Sequence, residues 1–129
     1  MKPKDLVTVW AAPDNSRLTS KQYSFRLPVH VAAKIAALCE MYPTKSRTQI
    51  VGDLLSTALQ GLEDGFAPVK GPVFYDEPEE GVLYEDAGRH NTYRQLANKA
   101  NAEIEREMGN DDPKPIVQLR LISNDDLKA

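Results

Sequence analysis

Cysteine is almost missing from this 129-residue chain, which has a single one, Cys39. One thiol excludes an internal disulfide and any metal cluster built on several cysteines. Its place in an apolar helical pattern makes it a small buried hydrophobe before it makes it a reactive thiol. Histidine is nearly as scarce: His30 and His90 have no cysteine or carboxylate partner at metal-ligand spacing, and both read as surface or helix-end residues. No apolar run approaches the roughly 18 residues a membrane span requires, and none follows the first residues as a leader would, so no membrane role is expected and the chain reads as cytoplasmic. Nothing repeats, and no segment is of low complexity. No glycine-rich phosphate loop follows a strand and no serine sits in a nucleophile elbow. The paired acids Glu79 with Glu80, Asp111 with Asp112 and Asp125 with Asp126 lie in turn or tail contexts, where a charge run is usually a solvated face. These absences predict a protein that is not an enzyme and that carries no cofactor and no metal.

What the chain does have is a division of charge. Residues 1–62 hold eight Lys and Arg against four Asp and Glu, while residues 63–129 hold eight against fifteen, so a basic half of +4 and an acidic half of −7 make up the net −3. The overall pI of about 5.4 would argue against a nucleic-acid partner if it stood alone. The asymmetry reverses that argument, because the basic half also carries the strongest local pattern.

That pattern lies in residues 21–62. Residues 22–27 alternate with period two, placing Tyr23, Phe25 and Leu27 on one face and Gln22, Ser24 and Arg26 on the other. A lone six-residue strand cannot satisfy its own backbone, and the thirty residues after it are helical, so it requires a partner strand from a second chain. Pro28 suits the first position of a helix. Val31, Ile35, Leu38 and Tyr42 then form a stripe on that helix, with Ala32, Ala36 and Cys39 beside it. Pro43 ends the helix near Tyr42. Ser46 followed by Gln49 fits a capping box at the head of a second helix, whose apolar set is Ile50, Val51, Leu54, Leu55, Ala58, Leu59 and Leu62. That stripe is wide enough to face both the first helix and another subunit. Gly61 would let the helix end. Gly52, in the helix interior, costs about 1 kcal/mol against Ala, which a close helix approach would explain.

The stretch resembles the ribbon-helix-helix DNA-binding proteins, the Arc and methionine-repressor type. The sequence Gln-x-Ser-x-Arg-x-Pro at Gln22, Ser24, Arg26 and Pro28 is close to the Gln-x-Asn-x-Arg-x-Pro found in that family. The resemblance implies an intertwined homodimer, mainly α with a short antiparallel β-ribbon that enters the major groove of double-stranded DNA. It implies base contacts from Gln22, Ser24 and Arg26, and phosphate contacts from Lys45, Ser46, Arg47 and Thr48 at the head of the second helix. The implied dimer core is Tyr23, Phe25, Leu27, Ile35, Leu38, Ile50, Leu54 and Ala58. It covers about a third of the chain. The turn between the helices departs from the family, with Pro43, Thr44 and Lys45 where a glycine is common. The plainer alternative is a helical hairpin used only for dimerisation, which leaves the regular placement of Gln22 and Arg26 unexplained.

Around this domain the sequence predicts an N-terminal arm (1–20), an acidic Gly/Pro-rich linker with short extended segments (63–90) and a C-terminal helix and strand (91–129). In the arm, residues 5–10 read as a short strand and residues 11–16 as turn-like. Lys2, Lys4, Arg17 and Lys21 either touch DNA or are solvated charges on a frayed terminus, and Trp10 is expected to pack on the second half. Val73 to Tyr75 and Val82 to Tyr84 form either a loose hairpin or anchors in a charge-dense linker. Asn91 or Thr92 would cap a helix reaching about Met108, with Tyr93, Leu96, Ala97, Ala100, Ile104 and Met108 on one stripe, of which Tyr93, Leu96, Ala100 and Ile104 are the expected assembly or partner surface. Residues 116–122 read as a strand. The functional expectation is a sequence-specific dimeric repressor, with higher-order assembly on DNA open to it. The alternatives are an antitoxin-type autorepressor whose acidic half holds a protein partner, or an accessory DNA-binding factor of plasmid partition or conjugation.

Overall fold

A computed structural model describes residues 2–10, 17–79 and 81–128; the turn expected at 11–16 and Glu80 lie outside the described residues. The chain is mixed α+β and divides into two compact units, Met1–Asp64 and Gly65–Ala129.

The first unit is helical. A 3-10 turn, Pro3–Asp5, leads into a short helix α1, Leu6–Val9, where a strand was expected over residues 5–10. The helical form wins because the Asp5 carboxylate accepts the Lys2 N–H at 3.1 Å and Trp10 N–H donates to the Leu6 carbonyl at 2.7 Å. It sets Leu6 and Trp10 one turn apart on a single face, and both are buried. Helix α2, Val29–Met41, is preceded by Pro28 and stops at Tyr42, ahead of Pro43, as the proline rule requires. No residue of α2 is fully buried. Helix α3, Arg47–Asp64, starts where Ser46 Oγ accepts the Gln49 N–H at 3.1 Å. It runs three residues past Gly61, which keeps a negative φ instead of turning the chain out. The buried core of this unit is Leu6, Trp10 and Ile50, with Leu38, Cys39, Tyr42 and Leu54 packed against it. Trp10 therefore belongs to the core of its own unit, not to the second half of the chain.

The second unit is a three-stranded antiparallel sheet with one long helix. Strand β1, Lys70–Glu77, and strand β2, Gly81–Asp86, form the hairpin, so of the two readings of this acidic stretch the folded one is realised. Gly81 takes φ +84° at the turn, a region costly for any side chain. Register shifts on either side of Val73 bulge β1. Helix α4, Arg89–Glu107, is capped at Gly88, three residues ahead of Asn91 and four ahead of Thr92, where the Asp86 carboxylate accepts the Gly88 N–H at 2.8 Å. Gly109, at φ +92°, follows its end. Strand β3 is only Leu121–Ile122, paired with β2. The expected strand over 116–122 is shortened because the Asn98 side chain takes over the ladder's work. Its Oδ1 accepts the Ile116 and Val117 N–H groups at 2.9 and 3.0 Å, and its Nδ2 donates to the Val117 carbonyl at 3.0 Å.

Asp86 is the polar centre of this unit, with its side chain closed to solvent. One carboxylate oxygen accepts the N–H groups of Gly88 and Val69; the other accepts Arg120 Nε at 2.7 Å, and Arg120 also donates to the Phe66 carbonyl at 2.7 Å. Burial pushes this carboxyl's pKa up, but the two backbone N–H groups and the guanidinium outweigh it and hold the group below the usual carboxylate range. The α4 stripe expected as one contact surface is split. Tyr93, Ala97 and Ile104 are half-buried, with Tyr93 against Phe66 at 5.5 Å, while Leu96 and Ala100 face solvent.

Candidate nucleic-acid interface

Residues 22–27 lie in no helix and no strand within the single chain, and every one of them is exposed. Their alternation is nonetheless visible. The rings of Tyr23 and Phe25 stack with centroids 6.5 Å apart and planes within 4°, the spacing that an extended chain gives to side chains i and i+2 on one side. Gln22, Ser24 and Arg26 are exposed polar residues of the same segment. Tyr23, Phe25 and Leu27 are 57%, 74% and 48% exposed, a load of apolar surface that one chain leaves uncovered.

The residues expected to form one dimer core fall into two groups. Leu38, Ile50 and Leu54 are tied up within the chain by Leu6 and Trp10, and Ile35 is half-buried on α2. Tyr23, Phe25, Leu27 and Ala58 are exposed. The geometry of α3 explains the split. Ile50, Leu54, Thr57 and Gly61 share one side of the helix, while Val51, Leu55, Ala58 and Leu62 lie about a third of a turn round, with Leu59 beside them. The first side meets the core; on the second, Leu55, Leu59 and Leu62 are 52%, 48% and 57% exposed. Gly52 borders this open side, and a Cβ added there would meet nothing within 4 Å, so no close approach among the described residues accounts for the glycine.

Lys45, Ser46, Arg47 and Thr48 come together at the head of α3, Lys45 half-buried and the other three exposed. Ser46 is committed to the cap, while the N–H groups of Arg47 and Thr48 belong to the first turn, which has no carbonyl one turn back to receive them. This is the positive end of the helix dipole. Lys2 and Lys4 are elsewhere. They line a recess with Thr57, Gly61 and Asp64, some 16 Å or more along α3 from Ser46 at about 1.5 Å per residue. Of the four arm cations, these two do not join the phosphate end; Arg17 and Lys21 are exposed just ahead of residues 22–27.

The residues that sequence reasoning missed are Leu6 and Asp53. Asp53 accepts the Trp10 indole N–H at 2.7 Å across 43 positions of sequence, and no local pattern reports such a pair. The only signal was Trp10 itself, too large and apolar to leave in water. His30 is exposed, whereas His90 sits at a helix end but not at the surface: it is the second residue of α4, buried, with its ring edge-on to Phe66 at 6.3 Å. Among the described residues no three His, Cys, Asp or Glu side chains are grouped to hold a metal ion, and no helix is long and apolar enough to cross a membrane. No protein-family model, curated protein or solved structure matches the chain.

Proposed function

We propose that the chain is a sequence-specific DNA-binding protein that works as a ribbon-helix-helix dimer and represses by occupying its site. Two copies of residues 22–27 pair as an antiparallel ribbon, and the open sides of the two α3 helices close against one another. The observation that carries this reading is the exposed row of Tyr23, Phe25 and Leu27 in a segment with no strand partner of its own, together with the equally open Leu55, Leu59 and Leu62. Among the described residues the unit's buried apolar core is Leu6, Trp10 and Ile50, little to set against two such surfaces left in water. Pairing places Tyr23, Phe25 and Leu27 inward and turns Gln22, Ser24 and Arg26 into the major groove, where Arg pairs bidentately with guanine and Gln with adenine. The head of α3 supplies Lys45, Arg47 and backbone N–H groups to phosphates.

Two variants test it. Arg26→Ala is expected to cost about 1–3 kcal/mol on the preferred site and to flatten the preference at one base pair. Lys45→Ala is expected to weaken all duplexes alike and to shallow the salt slope by about one unit for each phosphate no longer neutralised. Binding curves on a selected site and on its scrambled form, at several salt concentrations, read both. Equal loss on the two duplexes for Arg26→Ala sinks the base-reading ribbon.

A second reading, partner binding by the acidic unit, is favoured by Val73 and Phe74. Both are more than half exposed on the bulged edge strand beside the acidic Asp76, Glu77 and Glu79. An autorepressor of antitoxin type would use both units.

A further inference from the structure

The N-terminal segment is the part of the first unit to which the DNA-binding reading gives no task. Leu6 and Trp10 anchor it on Ile50, and Trp10 reaches both sides of the turn between α2 and α3. Its ring lies edge-on to Tyr42, with centroids 5.2 Å apart and planes at 61°, while its indole N–H donates to Asp53. Tyr42 is the hinge of that turn: its N–H closes α2 on the Leu38 carbonyl at 3.0 Å, and its carbonyl accepts the Lys45 N–H at 3.0 Å. On the other side, Ile50 N–H donates to the Ser46 carbonyl at 3.1 Å, and Asp53 follows one turn later. Among the described residues the rest of the bracing is half-buried: Leu38, Cys39 and Tyr42 at the end of α2 and Leu54 of α3 pack on the same cluster, while α2 has no fully buried residue and α3 buries only Ile50 and Thr57.

We propose that residues 3–10 are a strap in which Trp10 is a positioning residue, setting the angle between α2 and α3 and thereby the placement of Lys45, Ser46, Arg47 and Thr48 against phosphate. The proposal rests on the DNA-binding reading of that turn. Trp10 touches no nucleic acid; it acts through Tyr42 and Asp53. Removing the indole takes away the wedge between the end of α2 and the start of α3. A relaxation approaching an ångström then suffices to take N–H to phosphate contacts out of their usual 2.7–3.2 Å.

The experiment uses the full chain, unmodified and as Trp10→Ala, Trp10→Phe and Asp53→Asn, with a random-sequence duplex at several salt concentrations and hydrogen exchange of the bonded Lys45, Gln49 and Ile50 amides in the free protein. Trp10→Ala is expected to lower affinity about tenfold on every duplex, to shallow the salt slope by about two units for a dimer and to speed exchange of the Lys45, Gln49 and Ile50 amides, while sedimentation still reports a dimer. Trp10→Phe, which keeps a ring but loses the N–H, should recover most of the slope, and Asp53→Asn should stay near the unmodified chain because its amide oxygen still accepts. A Trp10→Ala protein with the original affinity and slope, or one weakened with its slope unchanged, overturns the proposal. If Trp10→Ala does not fold, Trp10→Phe decides, with a smaller shift in the same direction expected and none overturning it. Should the unmodified chain bind no DNA, the DNA reading fails by itself. The strap is then judged on exchange of the Lys45, Gln49 and Ile50 amides, where unchanged rates in the variants overturn it.

Discussion

Truncating Leu59 and truncating Leu54 should do different things, although both are leucines on α3. Leu54 packs on the core made by Leu6, Trp10 and Ile50, so Leu54→Ala is expected to cost about 2–5 kcal/mol of folding stability, a loss expressed at every protein concentration. Leu59 is 48% exposed in the single chain, so about half of a leucine's burial, some 1 kcal/mol, is left for a second copy to supply. A symmetric dimer contains the residue twice. Leu59→Ala should therefore weaken association by about 2 kcal/mol, close to thirtyfold in the dissociation constant, while the isolated chain loses little. Sedimentation equilibrium and thermal melts over a hundredfold range of concentration separate the two effects. An association constant untouched by Leu59→Ala, or an unmodified chain that stays a folded monomer at micromolar concentration, would refute the assignment of this side of α3 to a second copy.

In the second unit, Asp86→Asn removes one partner of a buried pair and should cost about 3 kcal/mol at neutral pH, the low end for such a change because Arg120 keeps some contact with water. The native carboxyl binds its proton less readily than the unfolded one. Its stabilisation is thus complete above the unfolded value of roughly 3.9 and is lost as pH falls through the lower native value. Denaturant titrations of the unmodified chain should weaken steeply below pH 4 and those of Asp86→Asn should not; parallel curves would contradict the sign. Asn98→Ala strips partners from the Ile116 and Val117 backbone groups and should cost about 1–3 kcal/mol, visible as fast amide exchange at 116 and 117, with protected amides the contrary result. Gly52→Ala should stabilise α3 by up to about 1 kcal/mol if the chain's own surroundings decide. A destabilisation that grows with protein concentration would instead place a partner's backbone against that position.

The sequence by itself determined what depends on neighbours a few positions apart. The bounds of α2 follow from Pro28 and Pro43, the start of α3 from Ser46 and Gln49, and the gathering of Lys45, Ser46, Arg47 and Thr48 from their simple adjacency at a helix head. The alternation of residues 22–27 and the division of charge were legible for the same reason, since period and composition are local quantities. Long-range partners decided the rest. Residues 5–10 have strand-like composition, yet they became helical because burying Leu6 and Trp10 on Ile50, and satisfying the indole on Asp53, outweighs a weak local preference. Residues 116–122 alternate like a strand, but its start gave way to one amide side chain on α4 that serves the backbone groups of Ile116 and Val117. The wide apolar stripe of α3 was plain in the sequence, but which side of it faces inward was not. That choice belongs to the arm, which arrives from 40 and more residues away and covers the side of Ile50 and Leu54 while leaving Leu55, Leu59 and Leu62 to water.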